Sequence, residues 1–244
     1  MGFRINFHGS RPVPEEAEAA DLATQSLAGL ACGFSAGTRL ATRDGWRPVE
    51  ALVPGDMVLT FDRGSQPIRS VERGFLWRGP SACPLPLWPL DVPEGVLDNT
   101  QPLMLLPEQT LLIESDLAEE IYGDPFVRLP ASILDGVLGI RRTAPLLGSS
   151  VPVVSIAFES PEIVYANGAA LVHCPPRKVG ETLSIDRLRE LHFEALACGV
   201  IPTLDDARRI VAALESAQAG AASPPRLPMV QTVPLLDALL IHAA

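Results

Sequence analysis

The side chains best suited to covalent chemistry in this sequence are its four cysteines, Cys32, Cys83, Cys174 and Cys198. They are widely spaced and form no CxxC pair, so the pattern predicts no metal site, no dense disulfide framework and no cofactor. Cys174 directly follows His173, and a protonated histidine beside a cysteine lowers the pKa of the thiol. The side chains of adjacent strand residues point to opposite faces, however. A structural role at the end of a strand is therefore favoured over a reactive His173–Cys174 pair.

Short strands and tight turns must position these side chains. The sequence has 24 prolines and 19 glycines, which favours many short strands over long helices. Asp44-Gly45 and Asn167-Gly168 are typical hairpin turns because these residues tolerate positive φ. The spacing of strands and turns predicts an all-β barrel or sandwich rather than βαβ units. The predicted strands are 39–42, 46–52, 57–61, 66–73, 104–106, 110–114, 126–129, 137–142, 151–158, 163–165 and 169–173.

Helical signals are few and lie mainly near the C-terminus. Ser115 is a predicted N-cap and Gly123 a predicted end for a short helix over 116–122. Thr203 and Asp206 resemble a capping box, which places the start of another helix at Leu204. The helices predicted after the β region are 185–197, 204–218 and 233–242. The predicted domains are a polar leader (1–31, partly helical or disordered), a β domain (32–176) and a helical extension (177–244) with a Pro/Ala linker at 219–228.

Composition restricts the partners and the location of the protein. The net charge is −10, and the sequence has too little Lys and Arg to neutralise phosphates, so no nucleic-acid partner is expected. No apolar run is long enough to span a membrane. Charged residues interrupt the N-terminal apolar stretch, so no signal peptide is evident and a cytoplasmic location is the default expectation. This composition is compatible with an unknown protein partner.

Four segments together resemble the Hint (hedgehog/intein) domain family, in particular its bacterial free-standing members. Phe34-Ser35-Ala36-Gly37-Thr38 is similar to the end of the family's C-F-x-x-G-T start. Leu106-Pro107-Glu108-Gln109 stands in the place of the S/T-P-x-H block, and 153–174 resembles the closing hairpin. The most specific segment runs from Gly45 to Asp62 and resembles G-x-x-x-V-E-x-L-x-x-G-D-x-V-x-T-x-D. Its matching residues are Gly45, Val49, Glu50, Leu52, Gly55, Asp56, Val58, Thr60 and Asp62.

The resemblance implies a fold and a reaction. The fold would be mainly β, a pseudo-symmetric Hint-type horseshoe over roughly 33–174, followed here by a short helical extension. The reaction would be self-cleavage, in which a thiol or hydroxyl attacks the carbonyl of the peptide bond before it. That step needs a nucleophile, a group that moves the proton and donors for the oxyanion.

This sequence departs from the family at each of those positions. Gly33 occupies the nucleophile position and has no side chain to attack with. Leu106 and Gln109 replace the Ser or Thr and the His of the third block, and Gln109 cannot accept a proton at neutral pH. His173-Cys174 stands where an intein carries His-Asn before its downstream nucleophile, so the cyclising Asn is absent as well. These departures predict a Hint-like binding or structural module without self-cleavage.

Two alternatives remain open. The first is self-processing by a displaced nucleophile, either Cys32 one residue upstream of Gly33 or Cys174, with Gln109 and His173 as the other candidate site residues. The second is an unrelated all-β domain that shares only these turns. Several further polar residues are expected to be structural: Ser35 and Asp56 in turns, and Glu159 and Glu162 as solvated residues around the last hairpin.

Overall fold

The computed structural model describes residues 33–77, 82–147, 150–175 and 199–220. They form 14 strands in three antiparallel sheets and two α-helices, so the predicted mainly β fold with a C-terminal helix is confirmed. The strands are β1 (Phe34–Ser35), β2 (Arg39–Thr42), β3 (Gly45–Pro48), β4 (Met57–Thr60), β5 (Gly64–Pro67), β6 (Ser70–Phe75), β7 (Leu90–Val92), β8 (Leu103–Leu105), β9 (Thr110–Glu114), β10 (Phe126–Pro130), β11 (Arg141–Arg142), β12 (Pro152–Ala157), β13 (Glu162–Ala166) and β14 (Ala170–Cys174). The helices are α1 (Asp116–Tyr122) and α2 (Leu204–Gly220), and 3-10 helices cover Val49–Ala51, Leu85–Leu87 and Ala131–Leu134.

The largest sheet runs in the order β10-β9-β14-β13-β2-β4-β5, with β3 attached to β2 and a further pairing between β13 and β4. Two three-stranded sheets have the orders β1-β12-β6 and β11-β7-β8. In the first of them Phe34 pairs with Val154 and Ser35 with Val153. This register brings the beginning of the described chain directly against β12.

The predicted turn at Asn167-Gly168 is confirmed, and it holds three parts of the chain together. Asn167 has a φ of 46°. Its side chain accepts a hydrogen bond from the Arg39 amide at 2.7 Å and donates one to the Pro102 carbonyl at 2.9 Å. A Cβ at Gly168 would lie 2.7 Å from the Thr100 amide nitrogen, so only glycine allows this approach.

The helix over 116–122 has the predicted bounds because both of its ends are specified locally. Ser115 accepts a hydrogen bond from the Ala118 amide, and Gly123 adopts the left-handed conformation with a φ of 72°. The helix predicted over 204–218 extends to Gly220 as α2 and packs Ala207, Ile210 and Val211 into the core. The leader 1–31 and the helices predicted over 185–197 and 233–242 lie outside the described residues.

Three predicted strands differ from the structure by more than one residue at an end. The strand predicted over 46–52 ends at Pro48, which has no N–H for a further ladder bond, and a 3-10 helix follows. The strand predicted over 66–73 divides after Pro67 into β5, which pairs with β4, and β6, which pairs with β12. Most of 137–142 is a turn because Gly136, Leu138 and Gly139 have positive φ, and only Arg141–Arg142 is extended.

Apolar side chains form a main core and one smaller cluster. The main core gathers side chains from all three sheets and from α1 and α2. The smaller cluster, here called the satellite cluster, consists of the buried residues Leu76, Leu106 and Val153. Leu87 and Val151 are half-buried and pack against it. The satellite cluster lies beside the position at which the chain enters β1, because Val153 is the pairing partner of Ser35.

Candidate functional site

Gly33 stands at the entrance to β1 with no room for a side chain. A Cβ placed on it would lie 2.6 Å from Cγ1 of Val153 and 3.0 Å from the carbonyl oxygen of Val154. The first contact is a steric overlap and the second is unusually tight, so any residue other than glycine would have to displace β12 or the Val153 side chain. Gly33, which the family resemblance places at the nucleophile position, therefore stands where the packing against β12 leaves little room for a side chain.

Ser35 is a buried hydroxyl near this position, and its hydrogen bonds are local. It donates to the Met104 carbonyl at 3.2 Å and lies 3.2 Å from the Thr38 hydroxyl. The bond to Met104 joins β1 to β8, the strand that leads into the next part of the site. These contacts agree with the structural role expected of Ser35.

Gln109 closes the tight turn that follows β8. Its side-chain oxygen accepts a hydrogen bond from the Leu106 backbone amide at 2.6 Å. The backbone amide of Gln109 donates to the Leu106 carbonyl at 3.1 Å. The backbone carbonyl of Gln109 accepts a hydrogen bond from the Ala131 amide at 2.7 Å. Gln109 is only 1% exposed. The side-chain oxygen of Gln109 is thus engaged by its own turn, and a neutral amide offers no base there.

Leu106 belongs to the satellite cluster and is fully buried with Leu76 and Val153. The Val153 side chain is also the one that a Cβ at Gly33 would strike. Gly33 and Leu106, which the family resemblance predicts to stand at two reaction positions, therefore meet the same apolar side chain. The sequence predicts the departures at 33 and 106 but gave no sign that Val153 lies against both positions.

His173 and Cys174 lie next to each other on β14. In the β13–β14 ladder His173 is opposite Ile163 and Cys174 is opposite Glu162. Side chains of consecutive strand residues point to opposite faces. Both residues are buried, and Cys174 is part of the main core. Cys32, the remaining candidate nucleophile, lies outside the described residues, and the catalytic roles considered for Cys32, Gln109, His173 and Cys174 remain predictions.

Two carboxylates considered in the sequence analysis differ in their surroundings. Asp56 accepts a hydrogen bond from the Val53 amide and forms an ion pair with Arg47 at 3.0 Å. These two contacts lower the pKa of Asp56, which agrees with the structural turn role expected of it. The expectation that Glu162 is solvated was wrong, because its side chain is 1% exposed and pairs with Arg63 at 3.0 Å. Burial raises the pKa of Glu162, and the attraction of Arg63 opposes that shift.

The described residues contain no group of three His, Cys, Asp or Glu side chains that could hold a metal ion. Within the same ranges, none of the helices has the length and apolarity required to cross a bilayer.

Comparison with known proteins identifies the family. A family model described as Hint domain matches residues 32–171, which is more than half of the chain. The chain therefore belongs to the Hint domain family. No curated protein matches the sequence.

Among solved structures, the chain is similar to a bacterial intein-like domain from Clostridium thermocellum, with 14% identity and a TM-score of 0.40. That match covers 58% of this chain and 98% of the other. It is also similar to the MchDnaB-1 intein (13% identity, TM-score 0.36, covering 57% and 98%) and to the gp41-1 intein (13% identity, TM-score 0.35, covering 58% and 97%).

Proposed function

We propose that this protein is a Hint-domain protein that has lost autocatalytic backbone cleavage and serves as a binding or structural module. The observation that carries the proposal is the contact between Gly33 and β12, which leaves no space for a nucleophilic side chain. An acyl shift requires a thiol or hydroxyl within reach of the carbonyl that precedes it. Glycine supplies neither group, and Val153 and Val154 occupy the space in which one would stand.

The surroundings of Gly33 support the same conclusion. Leu106 contributes an alkyl side chain to the satellite cluster, and Gln109 contributes a neutral amide whose oxygen already accepts a hydrogen bond. Neither can take a proton from a nucleophile or return one to a leaving amine. The hydrogen bonds and the apolar packing at these positions stabilise the turn after β8 instead.

The competing function is self-processing by a displaced nucleophile, Cys32 or Cys174. Cys174 is 2% exposed and packed in the main core, which disfavours attack on a peptide bond by its thiol. Cys32 is the neighbour of Gly33, and its thiol would have to attack the carbonyl of Ala31. Cys32 is therefore the more important residue to test.

Intact-mass spectrometry of the purified full chain tests the proposal, with and without prolonged incubation in hydroxylamine or dithiothreitol. The proposal expects one full-length mass under every condition. Fragments with new termini at residues 32, 33, 174 or 175 would contradict it. In that event the variants Cys32→Ala and Cys174→Ala would show which thiol is responsible.

A further inference from the structure

One end of the largest sheet is covered by a short piece of chain that belongs to none of its strands. β10 is the last strand at that end. Residues 199–202, here called the edge strap, lead towards α2 and carry Val200, which forms a parallel β-bridge with Val127. The Val200 amide donates to the Phe126 carbonyl at 2.9 Å, and the Val200 carbonyl accepts from the Arg128 amide at 2.8 Å. Val200 therefore occupies the position of an additional strand.

The edge strap completes the backbone hydrogen bonding of this edge. The amides of a strand alternate between its two neighbours, so the outward positions of β10 are Phe126, Arg128 and Pro130. The Phe126 amide donates to the Asp124 carboxylate at 2.9 Å, and the Arg128 amide donates to Val200. Pro130 has no N–H. Each outward N–H of β10 thus has its acceptor within the same chain.

The sequence of β10 gives this edge little protection of its own. An uncovered strand edge pairs readily with another chain unless charges, prolines or a covering segment prevent it. The charged residue of β10 is Arg128, which is only 6% exposed, and Pro130 protects only the last position. The strand at the opposite end of the sheet, β5, is polar and ends at Pro67. β10 is therefore the end of the sheet that needs a covering segment.

The edge strap is fixed on both sides of Val200. Gly199 has a φ of 79°, and a Cβ on it would overlap Cδ1 of Leu112 on β9, so only glycine allows this approach. After the strap, the Thr203 hydroxyl accepts a hydrogen bond from the Asp206 amide at the start of α2. Tyr122 of α1 donates to the Asp206 carboxylate at 2.8 Å. Contacts with β9 and α1 thus hold the strap against the sheet.

We propose that the edge strap prevents self-association by occupying the site at which β10 of a second copy would add to the sheet. Antiparallel pairing of two such edges, centred on Val127, would join the Arg128 amide of each copy to the Phe126 carbonyl of the other. These are the two groups that Val200 engages in the single chain. The uncovered edge would therefore be self-complementary, which is the requirement for a two-fold symmetric interface.

Light scattering of the purified full chain over a range of concentrations tests the proposal. Val200→Pro removes the N–H that donates to Phe126 and should release the strap from β10. We expect the wild type to keep a monomeric mass and the variant to double its mass as its concentration rises. Ile201→Pro is the matched control, because it places the same ring beside Val200 without removing either bond to β10. This control should remain monomeric.

Hydrogen exchange at the Arg128 amide, followed by NMR, shows where the copies meet. In dilute Val200→Pro this amide should exchange about tenfold faster than in the wild type, because it loses its acceptor. It should become protected again at the concentrations at which the mass doubles. A doubled mass with an unprotected Arg128 amide would place the contact elsewhere and overturn the proposal, as would a Val200→Pro chain that stays monomeric.

A second variant covers the case in which proline prevents folding. Gly199→Ala displaces the strap by its overlap with Leu112 and leaves the N–H of Val200 in place, and it should also double its mass. If the far-ultraviolet circular dichroism of both variants shows unfolded chains, the strap is needed to form the sheet and the proposal is overturned. A wild-type chain that doubles its mass at the same concentrations as the variants would overturn it too.

Discussion

Gly33 and Val153 are packed so closely that a Cβ at position 33 would lie 2.6 Å from Cγ1 of Val153. The contact joins the position that holds the nucleophile in the Hint family to the satellite cluster, which also contains Leu106. Under the proposed function, the reactive side chain and the space it would need are lost together. This coupling leads to predictions about stability as well as about chemistry.

Gly33→Ala is expected to destabilise the fold by about 1–3 kcal/mol, because the added methyl group overlaps Val153 and approaches the Val154 carbonyl. The measurement is urea unfolding of the variant and the wild type. In the double variant with Val153→Ala the two changes should be less than additive, since Val153→Ala removes one of the two close contacts. A Gly33→Ala variant as stable as the wild type would show that β12 can move to accommodate the methyl group without loss of stability.

Gln109→Met is expected to lower the free energy of unfolding by about 1–3 kcal/mol. Methionine has a similar length but no strong acceptor, so the Leu106 amide would lose the bond it makes at 2.6 Å in a buried turn. Gln101→Met, at an exposed position in the same region, is the matched control and should change stability by less than about 0.5 kcal/mol. Equal effects at the two positions would argue against a structural role for the Gln109 side chain.

Glu162 should give the protein a characteristic dependence of stability on pH. Burial raises the folded-state pKa of this carboxyl above its ordinary value of 4.5, so the folded state holds the proton more tightly than the unfolded chain. The contribution of Glu162 to stability therefore falls as pH rises from 4.5 through the raised pKa. Glu162→Gln cannot ionise and should remove this part of the slope in urea unfolding measured across that window. Parallel pH profiles for the variant and the wild type would contradict the assignment.

The partner of Glu162 offers a separate test. Arg63→Ala leaves the buried carboxylate without its ion pair while removing a side chain that is itself 44% exposed. We expect a loss of roughly 1–3 kcal/mol at neutral pH, between the values for exposed and buried pairs. In the Glu162→Gln background the same change should cost much less, because no charge is left to compensate. An equal cost in both backgrounds would show that Arg63 acts by packing alone.

Restoring the family residues should not by itself restore cleavage. A triple variant with Gly33→Cys, Leu106→Thr and Gln109→His regains the reactive groups, but Val153 and Val154 still oppose a side chain at position 33. We expect it to remain intact in the presence of hydroxylamine. Adding Val153→Ala should allow some thioester formation, detected as hydroxylamine-dependent fragments. Efficient cleavage by the triple variant alone would show that space at position 33 is not limiting.

Local features of the fold were predictable from the sequence, whereas distant contacts were not. Ser115 and Gly123 specify the two ends of α1, and Asn167-Gly168 specifies a hairpin, because each acts within a few residues. The division of 66–73 between two sheets depends on which strand pairs with each half. A period-two pattern carries no information about that choice.

The same distinction applies to the candidate site. The departures at Gly33, Leu106 and Gln109 were predicted by aligning the segments with the family pattern, and their functional consequence remains a prediction. The packing of Val153 against Gly33 is a contact between distant parts of the chain, and nothing in the local sequence indicates it. Glu162 was expected to be solvated because it lies near a turn, yet the fold buries it beside Arg63.

The mass of the intact wild-type chain after incubation with hydroxylamine decides whether an acyl shift occurs at Cys32 or Gly33. Hydroxylamine cleaves a thioester or ester in the backbone, so any acyl shift would be converted into two fragments. The proposed loss of nucleophile and space at Gly33 predicts a single full-length mass. A pair of fragments that meet at residue 32 or 33 would show that the reaction survives and would contradict the account.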